Sequence, residues 1–110
     1  MSEDFYCEEV LSGKTPVEKV YETERVLAYY HTRPFYEVHI VVIPKKHISS
    51  LLTLEESDSD LLLELIDVVK IVAEQVVSQY GASRVLTNLG AYQDSKHLHW
   101  HVFYGKQIRN

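Results

Sequence analysis

The chain has 110 residues, of which 45% are hydrophobic and 25% charged, and a formal charge of −5. That balance supports one compact domain with its own apolar core, and the acidic charge argues against a nucleic-acid binder, whose footprint is a basic face. One cysteine, Cys7, leaves no internal disulfide to form and suits a reducing compartment.

In chain order, Asp4 to Gly13 predicts a short helix ended by Gly13, with no apolar run of the kind a secretory leader needs. Val17 to Glu22 and Val26 to His31 predict two short strands joined by a turn at Thr23-Glu24-Arg25. Arg33-Pro34 breaks that pattern, and Val38 to Ile43, nearly all apolar and β-branched, predicts a central strand ended by Pro44. His39 shares a strand face with Val41 and Ile43, which predicts a core or interface histidine. Lys45 and Lys46 follow in a loop.

Residues 58–80 carry the strongest helical signal. Leu62, Leu65, Ile66, Val69, Val72, Ala73, Val76 and Tyr80 recur at spacings of three and four, with Ser57 or Asp58 as N-cap and Gly81 as C-cap. Glu64, Asp67, Lys70 and Glu74 interrupt the stretch, so no membrane span is expected, and the default location is the cytoplasm. Arg84 to Asn88 and Leu98 to Tyr104 supply two further strands. Because strands cluster before and after the long helix, the expected fold is a single α+β domain over residues 1–110. It has an antiparallel sheet of about five strands, one long helix and a short N-terminal helix.

The segment His97-Leu98-His99-Trp100-His101 carries the chemistry. On a strand His97, His99 and His101 share one face, while Leu98, Trp100 and Val102 face the other way and can pack on the helix. The imidazole face is then expected to lie open to a ligand. Three such histidines span about 13 Å, too far for all of them to reach one zinc ion. Imidazole is a good nucleophile toward phosphorus near neutral pH, and flanking N–H groups can hold phosphate oxygens.

This pattern resembles the histidine triad family of hydrolases, in particular its branch of small nucleoside phosphoramidases in their bacterial form. The resemblance extends to Ile43-Pro-Lys-Lys-His-Ile-Ser49, to Asn88-Leu-Gly90, and to the amino-terminal segment Asp4 to Pro16. It implies an α+β fold of this family and a reaction through a nucleotidyl-histidine. His99 would be the nucleophile, His101 the phosphate contact, and His97 with His47 the holders of hydrogen-bond geometry. Ser95 would assist the leaving group, Asn88 and Gln93 would line the phosphate pocket, and Phe5, Tyr6 and Tyr29 would flank a purine base. A homodimer with a sheet continued across its interface is also implied.

Two departures from the family pattern stand out. His31 occupies the position where relatives commonly hold ribose hydroxyls with Asp. Ser95 lies two residues before His97 where relatives have three. Some bacterial members bind zinc through a Cys-x-x-Cys pair together with residues like His47 and His97. The matching set here, Asp4, Cys7, His47 and His97, could in principle form a tetrahedral site. The expectation is nevertheless that no metal or other cofactor is required and that Cys7 is a small buried residue. Alternatives within this reading are dinucleoside polyphosphate hydrolysis by the same step, or a nucleotide-binding adaptor with little turnover.

Overall fold

The computed structural model describes residues 6–109. Five strands form one antiparallel sheet: β1 (Lys19–Glu22), β2 (Val26–Tyr30), β3 (Tyr36–Pro44), β4 (Arg84–Thr87) and β5 (Trp100–Gln107), in the order β1-β2-β3-β5-β4. One long helix, α1 (Ser59–Tyr80), crosses between β3 and β4. The α+β architecture is the one the sequence predicts. β1 begins two residues later than expected, although the Tyr30 N–H of β2 still donates to the Glu18 carbonyl at 3.0 Å.

The helix forms where its apolar stripe requires. Leu61, Leu65, Val68, Val69, Val72 and Val76 are buried along one side and meet Val26, Ala28, Ile40, Val42, Leu98 and Val102 of the sheet. Each such side chain taken from water contributes roughly 1.5–3 kcal/mol, so this layer dominates the stability of the domain. Gly81 ends the helix in the left-handed region (φ 93°), its N–H donating to the Val77 carbonyl. Asp58 stands at the N-cap, but its carboxylate accepts from Lys46 Nζ at 2.9 Å and from the Glu55 N–H at 3.0 Å, and not from the helix. The β1–β2 turn is tied to the helix through Glu64, which accepts from Thr23 Oγ1 (2.6 Å) and Arg25 Nε (2.8 Å). Lys45 likewise pairs with Glu22 at 2.7 Å, so neither lysine of the loop after β3 is an uncompensated charge.

The opposite sheet face is divided. Over one part, a π-helical turn at Tyr6–Val10 buries Tyr6 and Val10 against Leu27, Tyr29, Val41 and Ile43. This turn takes the place of the short helix predicted from Asp4, and Gly13 (φ 83°) closes it as expected. Over the rest, histidine and aromatic side chains of β3 and β5 border a cavity. The pairing Val41↔His101 and His39↔Phe103 places His39 and His101 diagonally on this same face. No helix among the described residues is long and apolar enough to cross a membrane.

Candidate active site

The triad lies at the entry to β5, whose ladder begins only at Trp100, two residues later than the sequence predicts. His97 to His99 form an extended lead-in held by other bonds: the Leu98 N–H donates to the Ile48 carbonyl (2.6 Å), and Thr87 Oγ1 donates to the His99 carbonyl (2.7 Å). Alternation survives without the ladder. Leu98 points to the helix core, and His97 and His99 to the other side.

That side is not open at these two rings. His97 is fully buried and His99 only 4% exposed, because Tyr6 lies over both, its ring centroid 5.7 Å from His97 and 4.8 Å from His99. The expected open imidazole face is therefore corrected. The amino-terminal turn covers two of the three histidines, and only His101 retains partial exposure.

Hydrogen bonds fix where each proton sits. His99 Nδ1 lies 2.7 Å from the His97 carbonyl, which can only accept, so Nδ1 carries the hydrogen. Burial lowers the His99 pKa, keeping the ring neutral, so Nε2 presents a lone pair. His101 has the opposite arrangement. The Phe35 N–H donates to His39 Nδ1 at 3.0 Å, which leaves the His39 hydrogen on Nε2. That hydrogen donates to His101 Nδ1 at 2.8 Å. Burial, reinforced by neighbouring imidazoles, holds His39 and His101 down to about 3, so His101 stays neutral and must carry its hydrogen on Nε2. A lone pair and an N–H donor thus stand on adjacent rings whose centroids are 5.0 Å apart.

His39 is the buried, hydrogen-bonded histidine that its strand predicts, and it also borders the cavity beside His101. Its apolar strand neighbours pointed to burial, and it is buried, but the diagonal register with His101 is a tertiary fact that the strand's own pattern does not carry. His31 joins the same group. Its ring lies 4.4 Å from His39, its Nδ1 accepts from the Arg33 N–H at 2.9 Å, and burial lowers its pKa to about 4. Its Nε2 is then also a donor.

The remaining sequence-predicted residues separate into groups. Asn88 lines a cavity of about 680 Å³ together with His39, His101 and Asp94. Gln93 and Ser95 are buried in the loop before the triad, and Gln93 Nε2 donates to the Ser49 carbonyl at 2.6 Å, bracing that loop against the segment after β3. Tyr29 lies beneath Tyr6 at 1% exposure, with a hydroxyl pKa raised by burial, and so presents no surface to a base in this conformation. Asp4 and Phe5 lie outside the described residues. Asp94 was missed by sequence reasoning. An acidic residue in a loop gives no signal until the loop is folded over the strand.

Among the described residues, two clusters have metal-ligand atoms within 4.8 Å of one another: Cys7 with His47 and His97, and His31 with His39 and His101. The first fits a metal. His97 Nε2 lies 2.7 Å from the Pro44 carbonyl and donates to it, leaving Nδ1 as an acceptor 3.4 Å from Cys7 Sγ. A carbonyl that fixes the tautomer of an imidazole beside a thiol is the support that zinc ligands generally have. The second cluster does not fit. Backbone N–H groups occupy Nδ1 of His31 and His39, which forces hydrogens onto the nitrogens a metal would need.

Fold and site together define a small α+β domain built around a histidine-rich strand with paired donor and acceptor imidazoles. The family model described as the HIT domain matches residues 12–108, and the chain belongs to that family. An uncharacterized HIT-like protein of Synechococcus elongatus is 34% identical over 109 residues, covering 98% of this chain and 96% of the relative. A HIT family hydrolase of Legionella pneumophila superposes with a TM-score of 0.81 at 28% identity, covering 96% of this chain and 95% of that one. A hypothetical histidine triad nucleotide-binding protein of Sulfolobus tokodaii gives 0.80 at 34% identity, covering 91% of this chain and 67% of that one.

Proposed function

We propose that this chain is a hydrolase that releases a purine nucleoside monophosphate from an amine, cleaving a phosphoramidate through a nucleotidyl-histidine. The observation that carries the reading is the opposed placement of protons on His99 and His101. A neutral imidazole with a bare Nε2 is a nucleophile, and one with Nε2–H beside it is a donor for the oxygen on which charge gathers. The similarity to a HIT family hydrolase and to a hypothetical histidine triad nucleotide-binding protein supports the broader part of the reading, hydrolysis and nucleotide binding.

In the proposed reaction His99 Nε2 bonds to the α-phosphorus as the phosphorus–nitrogen bond breaks, and the amine leaves with a proton drawn from solvent. Water then adds to phosphorus, the bond to Nε2 breaks, and a proton returns to solvent with release of the monophosphate. One water is consumed overall. His101 Nε2–H and Asn88 bind the phosphoryl oxygens. Because Tyr6 covers His99, substrate entry displaces that ring. The chemistry draws on no metal. A zinc ion held by Cys7, His47 and His97 would be structural, tying the amino-terminal turn to the lead-in of β5.

Rapid-quench mass spectrometry with an adenosine 5′-phosphoramidate tests the reading. The expected result is one nucleoside monophosphate on the peptide containing His99. Turnover without such an adduct, or an adduct on another residue, counts against it. The near-complete cover over His99 is the one observation favouring a second reading, a nucleotide-binding adaptor. Tight monophosphate binding with turnover near background would select that instead. We further propose a homodimer formed at β4, an edge strand that exposes Val85 and Leu86. An unpaired apolar edge is a template for pairing with a second copy. Sedimentation is expected to give twice the chain mass, and a monomer at micromolar concentration would refute it.

A further inference from the structure

We infer that the cavity beside His101 receives a leaving amine that carries a positive charge of its own, with Asp94 as its counter-ion. The inference rests on the phosphoramidase reading and names its substrate class more closely. The walls of the cavity include Phe35, Tyr36, Tyr92 and Phe103, with Tyr36 and Phe103 stacked at 4.2 Å. Among the described residues no lysine or arginine lines it, and its two histidines are neutral, their pKa values held near 3. Asp94 is thus the one charged side chain on its wall, and no hydrogen bond or ion pair engages that carboxylate among the described residues. Aromatic faces and an unpaired carboxylate together attract an organic cation.

The same charge works against the rival substrate. The phosphate chain of a dinucleoside polyphosphate entering this cavity would meet the Asp94 carboxylate, with no basic side chain among the described residues of its wall. A phosphoryl group held at His101 Nε2–H has its own donor and needs none from the cavity. A leaving group extending from it into the cavity shares the wall with the carboxylate and the rings. The cavity therefore favours a small amine with an apolar body and a second, protonated nitrogen.

The test compares two adenosine 5′-phosphoramidates with the same four-carbon linker, one made from 1,4-diaminobutane and one from its mono-N-acetyl derivative. The cationic substrate is expected to have a kcat/KM about fivefold higher at low salt, the scale of one solvent-exposed charge pair. Asp94→Asn should bring the ratio to about one, and Asp94→Glu, which keeps the charge, should retain the preference. Equal kcat/KM values in the unaltered enzyme, or a preference that survives Asp94→Asn, would overturn the inference alone. Failure to hydrolyse either substrate would overturn it together with the phosphoramidase reading.

Discussion

The two faces of the sheet use the same strands for opposite purposes. Toward α1, β3 and β5 contribute Ile40, Val42 and Val102, a wholly apolar layer in which one side chain can replace another of similar volume. On the other face the alternate residues of those strands, His39 and His101, are held atom by atom through a backbone N–H and through each other. The first face makes the fold, and the second takes away part of that stability only once the pH falls below the ordinary histidine range. Imidazoles buried there are kept neutral at a cost that grows as the pH falls. The difference implies that substitutions on the helix face act on stability, whereas those on the histidine face act on rate.

Replacing His99 by Ala sharpens this contrast most. Turnover is expected to fall by more than about a thousandfold, since the nucleophile is lost, while thermal unfolding changes little. Loss of both fold and activity would erase the division between the faces. Leu65→Ala probes the other side. This side chain is 1% exposed in the helix–sheet core, and its truncation should cost about 2–5 kcal/mol in denaturant unfolding with kcat nearly unchanged in the folded protein.

Acid should separate the faces without mutation. His39 and His101 have folded pKa values near 3, below the ordinary 6.5, so the unfolded chain takes up protons between those values that the folded chain does not. Their neutral burial therefore has no effect on stability above about pH 6.5, and stability is lost as the pH falls from there toward 3. Between pH 7 and pH 5 the loss from the two groups together should be on the order of 4 kcal/mol by urea titration, about half from each. It should shrink in His39→Phe. A stability that is flat or rises over that interval would contradict the buried neutral state.

The smallest expected effect comes from that same variant. His39→Phe removes the donor to His101 Nδ1 and should lower kcat/KM about tenfold, with the loss in kcat, because His101 then samples both tautomers. An unchanged kcat would show that His39 only fills space.

Much of this was legible in the residues. The stripe from Leu62 to Tyr80, the apolar run of β3 and the alternation through Leu98, Trp100 and Val102 specify a sheet with one helix on one face, because local period and burial agree there. The resemblance in the triad and in Ile43 to Ser49 supplied the family. What the sequence hid depends on contacts across the fold. Tyr6 covers His99 because of where the amino-terminal turn lands, and Asp94 reaches the cavity because its loop folds over β5. Gln93, read from the sequence as a phosphate-pocket residue, is buried with its amide donating to the Ser49 carbonyl, a contact between two loops that no local pattern announces, and Ser95 is buried beside it in the sequence.

The most direct measurement is nitrogen-15 NMR of histidine-labelled protein at neutral pH, which reads which ring nitrogen carries the proton. His99 should be protonated on Nδ1 with a bare Nε2, and His101 should be protonated on Nε2 with a bare Nδ1. If both rings show the same tautomer, or if His99 carries its proton on Nε2, the donor–acceptor pair on which the chemistry depends does not exist.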